Sequence, residues 1–327
     1  MPDFVILANT HWDPPTGGGN SSQQYANAML RRGWRVCFLQ RDGVEVLTPL
    51  RELQMGPETV AICDLPFIDF YYDTFMRLRD LGCRTVYRVV DNWLLTPCRY
   101  YSEARELAFI KAADLVVCSS PLNIGRFINT RPDITLLRNG VDLPRFRDWQ
   151  GERPADLVIG QPTLVFMASF WDRSWVDWQA LLYAAEKLPQ ASFNLLGDRE
   201  RIGLTELPDN LHLLGTKRHE LLPAYLRHSD VGLLTYNPGR TWYNNPVKVL
   251  EYLAAGLPVV SCPNISIANY PYIFPYRTPE ECVRQIAQAS RTPLDHDYLQ
   301  QVLEQHTWET RLDLLLAKLA GAPTLHK

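Results

Sequence analysis

The sequence lacks the features of membrane and secreted proteins. Its 327 residues contain no run of about 18 apolar residues, the length that a helix needs to span a bilayer. The N-terminus carries neither the basic nor the apolar segment of a secretory signal peptide. The seven cysteines are odd in number, scattered and without a Cys-x-x-Cys spacing, which argues against a disulfide framework and a metal site. We therefore expect a cytoplasmic protein with reduced thiols.

The chain also lacks a strong charge and internal repeats. The formal net charge is -3, and neither half has the basic surplus that is typical of a nucleic-acid-binding domain. The hydrophobic fraction of 46% and the charged fraction of 21% are those of an ordinary globular protein. We therefore expect no nucleic-acid partner.

What the sequence does contain is an alternation of strand and helix patterns that occurs twice. In the first alternation, a Gly-Gly-Gly loop at 17–19 connects the first strand to the first helix, as in a Rossmann-like unit. Residues 143–162 are rich in proline, glycine and charge, which is typical of a linker. The alternation restarts at residue 163, and the chain is longer than one core usually serves. This pattern predicts an α/β protein with a ligand cleft between two Rossmann-like domains, at 1–150 and 151–305.

The stretch from Asn244 to Val260 reads as a loop, a capped helix, a helix stop and a buried strand. Asn245 is a good N-cap, and Pro246 suits the first helical position because its missing N–H costs nothing there. Gly256 can adopt the left-handed conformation that ends a helix. Helical spacing predicts one buried face, formed by Val247, Leu250, Leu253 and Ala254.

Lys248 is unfavourable in a purely structural helix, because a cation in the first turn opposes the helix dipole. A bound phosphate would remove this conflict, since helix N-termini donate N–H groups to anions. Glu251 follows one turn later on the same face and could accept hydrogen bonds from a ribose diol. The alternative is a surface Lys–Glu pair, worth about 0.2–0.5 kcal/mol.

Other segments form an ordered set with this stretch. They are the 17–19 glycine loop, Asn139-Gly140-Val141-Asp142, segments 220–226 and 229–234, and Pro246-x-Lys248-x-x-Glu251-Tyr252 continuing to Val260. In order and spacing the set resembles GT-B-fold glycosyltransferases of the retaining group 1 type (family 4-like). The Pro-x-Lys-x-x-Glu-Tyr form is similar to the subgroup in bacterial polysaccharide and teichuronic-acid biosynthesis.

The resemblance implies GT-B architecture, with an acceptor-side N-terminal domain and a C-terminal domain that binds the nucleotide sugar. A final helix within 306–327, which includes Trp308, would cross back to the N-terminal domain. Glu251 would hold the donor ribose, and a basic pair would neutralise the diphosphate. Lys248 fits one half of this pair, and Arg173 is our candidate for the other, with a solvated loop arginine as the alternative.

Further donor-binding candidates lie at predicted strand ends and loops. Group 1 relatives often carry a second glutamate eight positions before the ribose glutamate, but here that position is Tyr243. The neighbouring asparagines could replace its sugar contacts. The further candidates are Gly18 and Gly19 at the phosphates, Lys217 and Tyr236 at the base, and Asn244 and Asn245 at the sugar.

Candidates for catalysis and acceptor binding follow predicted strands of the first domain. Asp91, His11 and Asp13 lie at strand ends, where a carboxylate or an imidazole could act as a general base. The structural alternatives are a loop contact for His11 and an N-cap for Asp91. The candidate acceptor contacts are Trp12, Asn92 and Trp93, although large aromatics more often serve packing.

Transfer from a nucleotide sugar requires stabilisation of a diphosphate leaving group. Lys248, Arg173 and helix N-terminal amides could supply it without a metal, and no Asp-x-Asp motif stands in the cleft segments. We therefore expect no cofactor beside the donor. The resemblance favours retention of the anomeric configuration, while the candidate bases of the first domain also permit inversion.

Several alternatives remain open at this point. The acceptor could be a glycan, a lipid-linked or a small molecule, and arginines between 77 and 105 could contact an anionic membrane or simply form a solvated face. A catalytically silent sugar-nucleotide-binding subunit is one alternative function, and a GT-B-fold sugar-nucleotide 2-epimerase is another. A dehydrogenase is a weaker alternative, because Gly17-Gly18-Gly19-Asn20 is not a Gly-x-Gly-x-x-Gly motif.

Overall fold

The computed structural model describes residues 2–8, 10–14, 17–65, 68–95, 100–168, 173–198 and 206–322, without the side chain of Arg173. The chain divides into two compact units. The first comprises residues 1–14, 18–140 and 308–327, and the second comprises residues 15–17 and 141–307.

The first unit is built on a sheet with seven strands among the described residues. In chain order they are β1 (Asp3–Leu7), β2 (Val36–Leu39), β3 (Glu45–Leu47), β4 (Thr59–Cys63), β5 (Arg84–Val89), β6 (Leu115–Cys118) and β7 (Thr135–Leu136). Their order in the sheet is β3-β2-β1-β4-β5-β6-β7, and β3 is antiparallel to its neighbour while the other pairs are parallel. Helices of this unit are α1 (Ser21–Arg31), α2 (Asp69–Asp80), α3 (Glu103–Ala112), α4 (Pro121–Phe127) and, at the end of the chain, α12 (Trp308–Gly321).

The second unit has a parallel sheet with six strands among the described residues. They are β8 (Thr163–Met167), β9 (Ser192–Leu196), β10 (Leu211–Leu213), β11 (Val231–Leu234), β12 (Val259–Ser261) and β13 (Ile273–Pro275), in the order β10-β9-β8-β11-β12-β13. Its helices are α5 (Leu143–Arg147), α6 (Trp178–Lys187), α7 (Leu222–Arg227), α8 (Pro238–Thr241), α9 (Val247–Ala254), α10 (Pro279–Ala289) and α11 (His296–Glu304). Two α/β units with parallel sheets confirm the predicted fold class.

The unit boundary lies at 140/141, ten residues before the predicted domain boundary at 150/151. Part of the predicted linker is α5, which packs against α7 and α9 and buries Leu143 and Phe146. The helix has little more than one turn, which is too short for a periodic apolar pattern to be visible in the sequence.

Helix α9 differs from the prediction at its start. Pro246 is the N-cap, with ψ of 126°, and no side chain caps the helix, so Asn245 does not have the predicted capping role. All residues from Val249 to Ala254 are buried, whereas Val247 of the predicted buried face is half-exposed. Gly256 has φ of +81°, in agreement with its predicted role as the helix stop.

The last helix belongs to the first unit. α12 packs against α1, and Trp308 is buried with its ring edge on Tyr25, the two centroids lying 5.2 Å apart. Arg31 and Arg32 form ion pairs with Glu309 and Asp313. Buried aromatic packing and charge pairs therefore join the final helix to the first unit.

The cysteines are buried where the structure describes them. Cys37, Cys63, Cys83, Cys118, Cys262 and Cys282 are free thiols, and Cys98 lies outside the described residues. None of the described helices is long and apolar enough to span a membrane.

Candidate functional site

The N-terminus of α9 lies at the point where the second sheet reverses its strand order. From β8 the chain adds β9 and β10 on one side, and it then returns to add β11 on the other side. In open α/β sheets, ligands bind at the carboxyl ends of the strands beside such a switch point.

Lys248 extends from the first turn of α9 to the ends of these two strands. Its ammonium donates hydrogen bonds to the backbone oxygen of Met167, the last residue of β8, at 2.7 Å and to the hydroxyl of Tyr236, just beyond β11, at 2.6 Å. Both acceptors are uncharged, so the positive charge is held in place without being neutralised. A lysine ammonium has three N–H donors, which leaves one for a ligand.

Glu251 lies one turn deeper in α9, and only 6% of the residue is exposed. Its Oε1 is 2.7 Å from Nε2 of His219, which is also buried. The other ring nitrogen of His219, Nδ1, is 3.1 Å from Nη1 of Arg145, and Nε of Arg145 is 3.4 Å from a carboxylate oxygen of Asp142. A connected polar chain of four side chains therefore leads from Asp142 through Arg145 and His219 to Glu251.

His219, Arg145 and Asp142 are not among the site residues that the sequence predicts. Asp142 directly precedes the predicted linker at 143–162, and Arg145 lies within it. His219 stands in a segment of common residue types. A buried histidine beside a predicted ligand-binding carboxylate would have been the signal, but burial at His219 cannot be read from one sequence.

The other donor candidates have different surroundings. Lys217 pairs with Asp156 at 2.6 Å, so its charge is already balanced, and Tyr236 holds Lys248. Tyr243, at the position of the second glutamate in relatives, is completely buried. Arg173 lies in a 3-10 turn at Arg173–Trp175, and its side chain is outside the described residues.

The two asparagines precede α9. Asn245 is buried, and Asn244 is half-buried with an Oδ1 that has no hydrogen-bond partner among the described residues. The contact of both asparagines with a donor sugar stays a prediction.

The glycine loop contributes to both units. Gly17, Gly18 and Gly19 all have positive φ values, of 76°, 96° and 71°. Gly17 belongs to the second unit, where its N–H donates to the Lys217 carbonyl at 3.1 Å and its carbonyl accepts from the His219 N–H at 2.9 Å. Gly17 therefore supports the backbone of His219, while the phosphate contacts of Gly18 and Gly19 stay a prediction.

Asp91 is the catalytic candidate with the most perturbed acidity. Burial raises the pKa of its carboxyl group to about 6, and the nearby Asp64 carboxylate adds to the rise. Asp64, which follows β4 directly, is a buried acid that the sequence analysis missed. It accepts a hydrogen bond from Ser22 at 2.7 Å and lies 3.5 Å from Arg88. An acid with this pKa can exchange a proton near neutral pH.

The remaining candidates of the first unit are exposed or packed. His11 is exposed and lies 3.7 Å from Asp42, and Asp13 is exposed. The ring of Trp12 packs on Phe38, with 5.0 Å between the centroids.

Asn92 and Trp93 also have structural contacts. Asn92 is buried, and its Oδ1 accepts a hydrogen bond from the backbone N–H of Leu94. Trp93 belongs to the hydrophobic core of the first unit. These contacts favour the packing alternative for both tryptophans and a turn-stabilising role for Asn92.

Comparisons with known proteins identify relatives of this chain. Residues 173–317, which include His219, Lys248 and Glu251, match the family described as "Glycosyl transferase-like". Over 189 residues the chain is 26% identical to TuaH of Bacillus subtilis, which is assigned as a teichuronic acid biosynthesis glycosyltransferase. That match covers 53% of this chain and 47% of TuaH, so it spans about half the length of this relative. Over 343 residues the chain is 25% identical to WcaL of Escherichia coli, assigned as a colanic acid biosynthesis glycosyltransferase, with 92% of this chain and 81% of WcaL covered.

Solved structures show the same fold. HepE (Alr3699) of Anabaena, solved in complex with UDP and glucose, has a TM-score of 0.64 and 13% identity. The match covers 98% of this chain and 100% of HepE. The chain therefore has the GT-B fold, and its sequence is similar to those of glycosyltransferases assigned to polysaccharide biosynthesis.

Proposed function

We propose that the protein transfers a glycosyl group from a nucleoside-diphosphate sugar to a glycan, lipid-linked or small-molecule acceptor in cell-surface polysaccharide biosynthesis. The observation that carries this proposal is the position of Lys248 and Glu251, one helical turn apart at the switch point of the second sheet. An ammonium and a carboxylate at this spacing suit the pyrophosphate and the ribose diol of one nucleotide.

Catalysis in this proposal depends on stabilising the nucleoside diphosphate as it leaves. Lys248 would meet the developing charge with its unneutralised ammonium, and the amides of the first turn of α9 would add the positive end of the helix dipole. Arg173, in the turn that follows β8, is the proposed second cation. These groups would supply the charge without a metal or another cofactor.

We propose that the reaction retains the anomeric configuration, with an oxygen of the diphosphate assisting deprotonation of the acceptor. Inversion is the second candidate, because it requires a general base and Asp91 has a pKa of about 6. His11 and Asp13, which are both exposed, are the other candidate bases for inversion.

The biological setting of the proposal comes from the relatives. TuaH and WcaL are assigned to the biosynthesis of teichuronic and colanic acids. We propose a cytoplasmic enzyme with peripheral contact at the inner face of the membrane. Six buried free thiols are compatible with a reducing compartment.

A thermal-shift panel with UDP-, GDP-, dTDP- and ADP-sugars, with and without Mg²⁺, tests donor binding. A ligand at about 100 times its Kd should add about 2.7 kcal/mol of stability. We expect stabilisation by sugars of one base, of similar size with and without Mg²⁺. A complete lack of stabilisation would contradict the proposal.

A turnover assay with the donor that binds then distinguishes a transferase from a silent subunit and from an epimerase. NMR of the reaction with candidate acceptors should show release of nucleoside diphosphate and a product with the anomeric configuration of the donor. Binding without turnover would indicate a silent subunit, and a changed sugar configuration without acceptor would indicate an epimerase.

A further inference from the structure

We propose that His219 is a positioning residue that orients Glu251 for recognition of the donor ribose. The inference rests on the proposed function and adds a residue that acts through Glu251. Its basis is the hydrogen-bonded chain from Asp142 to Glu251 within the second unit.

Arg145 determines which nitrogen of His219 carries the proton. A guanidinium group has only donors, so the contact of Arg145 with Nδ1 at 3.1 Å requires Nδ1 to accept. The proton of the ring is then on Nε2, where it is donated to Oε1 of Glu251 at 2.7 Å. Asp142, 3.4 Å from Arg145, holds the guanidinium in turn.

This arrangement binds one oxygen of Glu251 and preserves its charge. A direct Arg145–Glu251 ion pair could occupy both carboxylate oxygens and balance their charge. An imidazole N–H instead satisfies Oε1 alone, and we assign the second oxygen, Oε2, to the hydroxyls of the ribose. Hydrogen bonds to an ionised acceptor are stronger than those between neutral groups.

The imidazole ring is also held rigidly. The backbone N–H of His219 donates to the carbonyl of Gly17, and the imidazole lies edge-on to the ring of Phe146 with 5.7 Å between the centroids. His219 is only 4% exposed, so packing restricts its rotation. A carboxylate oriented by a fixed neighbour needs little rearrangement when a ligand arrives.

The experiment measures how tightly each full-length variant binds UDP and 2′,3′-dideoxy-UDP, which lacks the ribose hydroxyls. The same comparison is made with ADP and GDP and their 2′,3′-dideoxy forms. His219→Phe keeps a ring against Phe146 but removes both nitrogens, whereas His219→Gln can still offer an amide N–H to Glu251. His228→Phe is the matched control, because His228 bonds the Ala224 carbonyl in the same unit. Calorimetry gives the affinities, and melting curves establish that each variant is folded.

We expect the wild type to prefer the ribose form, and His219→Phe to lose roughly tenfold in affinity for it while the dideoxy form is little affected. His219→Gln should recover part of the loss, and His228→Phe should match the wild type. An unchanged ribose preference in both His219 variants, or an equal loss for both forms of the nucleotide, would overturn the inference. If the wild type binds neither these three diphosphates nor dTDP, the proposed function itself fails. Binding of dTDP alone would overturn the inference, because its sugar lacks the ribose diol.

Discussion

The ammonium of Lys248 is fixed by two neutral oxygen atoms, those of the Met167 carbonyl and the Tyr236 hydroxyl. A charge that is held but not balanced is suited to an anionic ligand, whereas a lysine in a surface ion pair is already balanced. Lys217, which pairs with Asp156, is an example of the second kind. Local pairing therefore distinguishes Lys248, which is predicted at the diphosphate, from Lys217, which is predicted at the base.

Substitution of Lys248 by methionine should weaken nucleoside-diphosphate binding by about 10- to 100-fold, because a charged contact to the pyrophosphate is lost. Binding of the nucleoside alone, which has no phosphate, should change little. Calorimetry with both ligands measures the difference. Lys187→Met is the matched control, since Lys187 is paired with Glu186 on the surface of the same unit. Equal losses for the diphosphate and the nucleoside would show that Lys248 has a structural role.

The raised pKa of Asp91 predicts that the stability of the protein depends on pH. Burial raises its pKa from 3.8 to about 6, so the folded state binds the proton more tightly than the unfolded state does. The resulting stabilisation is present below about pH 4 and is lost as the pH rises to about 6, in total roughly 3 kcal/mol at about 1.36 kcal/mol per pKa unit. Asp91→Asn, which cannot ionise, should therefore become more stable relative to the wild type over this range.

Urea unfolding of both proteins between about pH 4 and pH 7 measures this difference. Asp73→Asn, at an exposed position of the same unit, is the control for loss of one carboxylate. Parallel curves for the wild type and Asp91→Asn would show that Asp91 titrates normally in the folded protein.

At the level of elements, helix α9 is attached to its sheet through Tyr252. The Tyr252 hydroxyl accepts a hydrogen bond from the Met167 N–H at 2.9 Å and lies 3.3 Å from the Leu233 carbonyl. Gly232 in β11 leaves room for the ring, because a Cβ atom there would lie 2.6 Å from Cγ of Tyr252. A ring fixed at its hydroxyl end cannot move aside easily.

Gly232→Ala should therefore cost about 1–3 kcal/mol through overpacking and should also weaken nucleoside-diphosphate binding by displacing α9. Melting curves and calorimetry give the two effects. Gly125→Ala is the contrasting control, because it adds a Cβ in α4 with no atom within 4 Å, and alanine stabilises a helix interior by about 0.5–1 kcal/mol relative to glycine. A Gly232 variant as stable as the wild type would contradict this account of the helix–sheet contact.

The elements that the sequence predicted well are those with clear local signals. The α9 helix combines apolar spacing with a glycine stop, and the observed positive φ of Gly256 agrees with this role. The short helix α5 lies in a predicted linker, because its buried residues Leu143 and Phe146 span only one turn and give no periodic signal. The polar chain behind Glu251 could not be predicted, since it joins residues 142, 145, 219 and 251 that only the tertiary fold brings together.

At the level of the whole molecule, each hydrophobic core belongs to one unit. One cluster of buried residues, from Val5 to Ile134, lies in the first unit, and two others, within 141–303, lie in the second. The repeated alternation of strands and helices was enough to predict two such units. The exact boundary was not predictable, because the residues after 140 belong to the second unit only through the burial of α5.

The second unit should fold when residues 141–307 are expressed alone, because it has its own cores and is nearly continuous in sequence. It should bind the nucleoside diphosphate within about tenfold of the full chain, since among the described residues the loss of Gly17 removes two backbone hydrogen bonds. Residues 1–140 alone should be much less stable, because they lack the buried Trp308 and the Leu319 and Ala322 carbonyls that Arg84 contacts. Circular dichroism and calorimetry of the two fragments measure this asymmetry. An unfolded 141–307 fragment beside a stable 1–140 fragment would reverse the expected order and show that the second unit depends on the first.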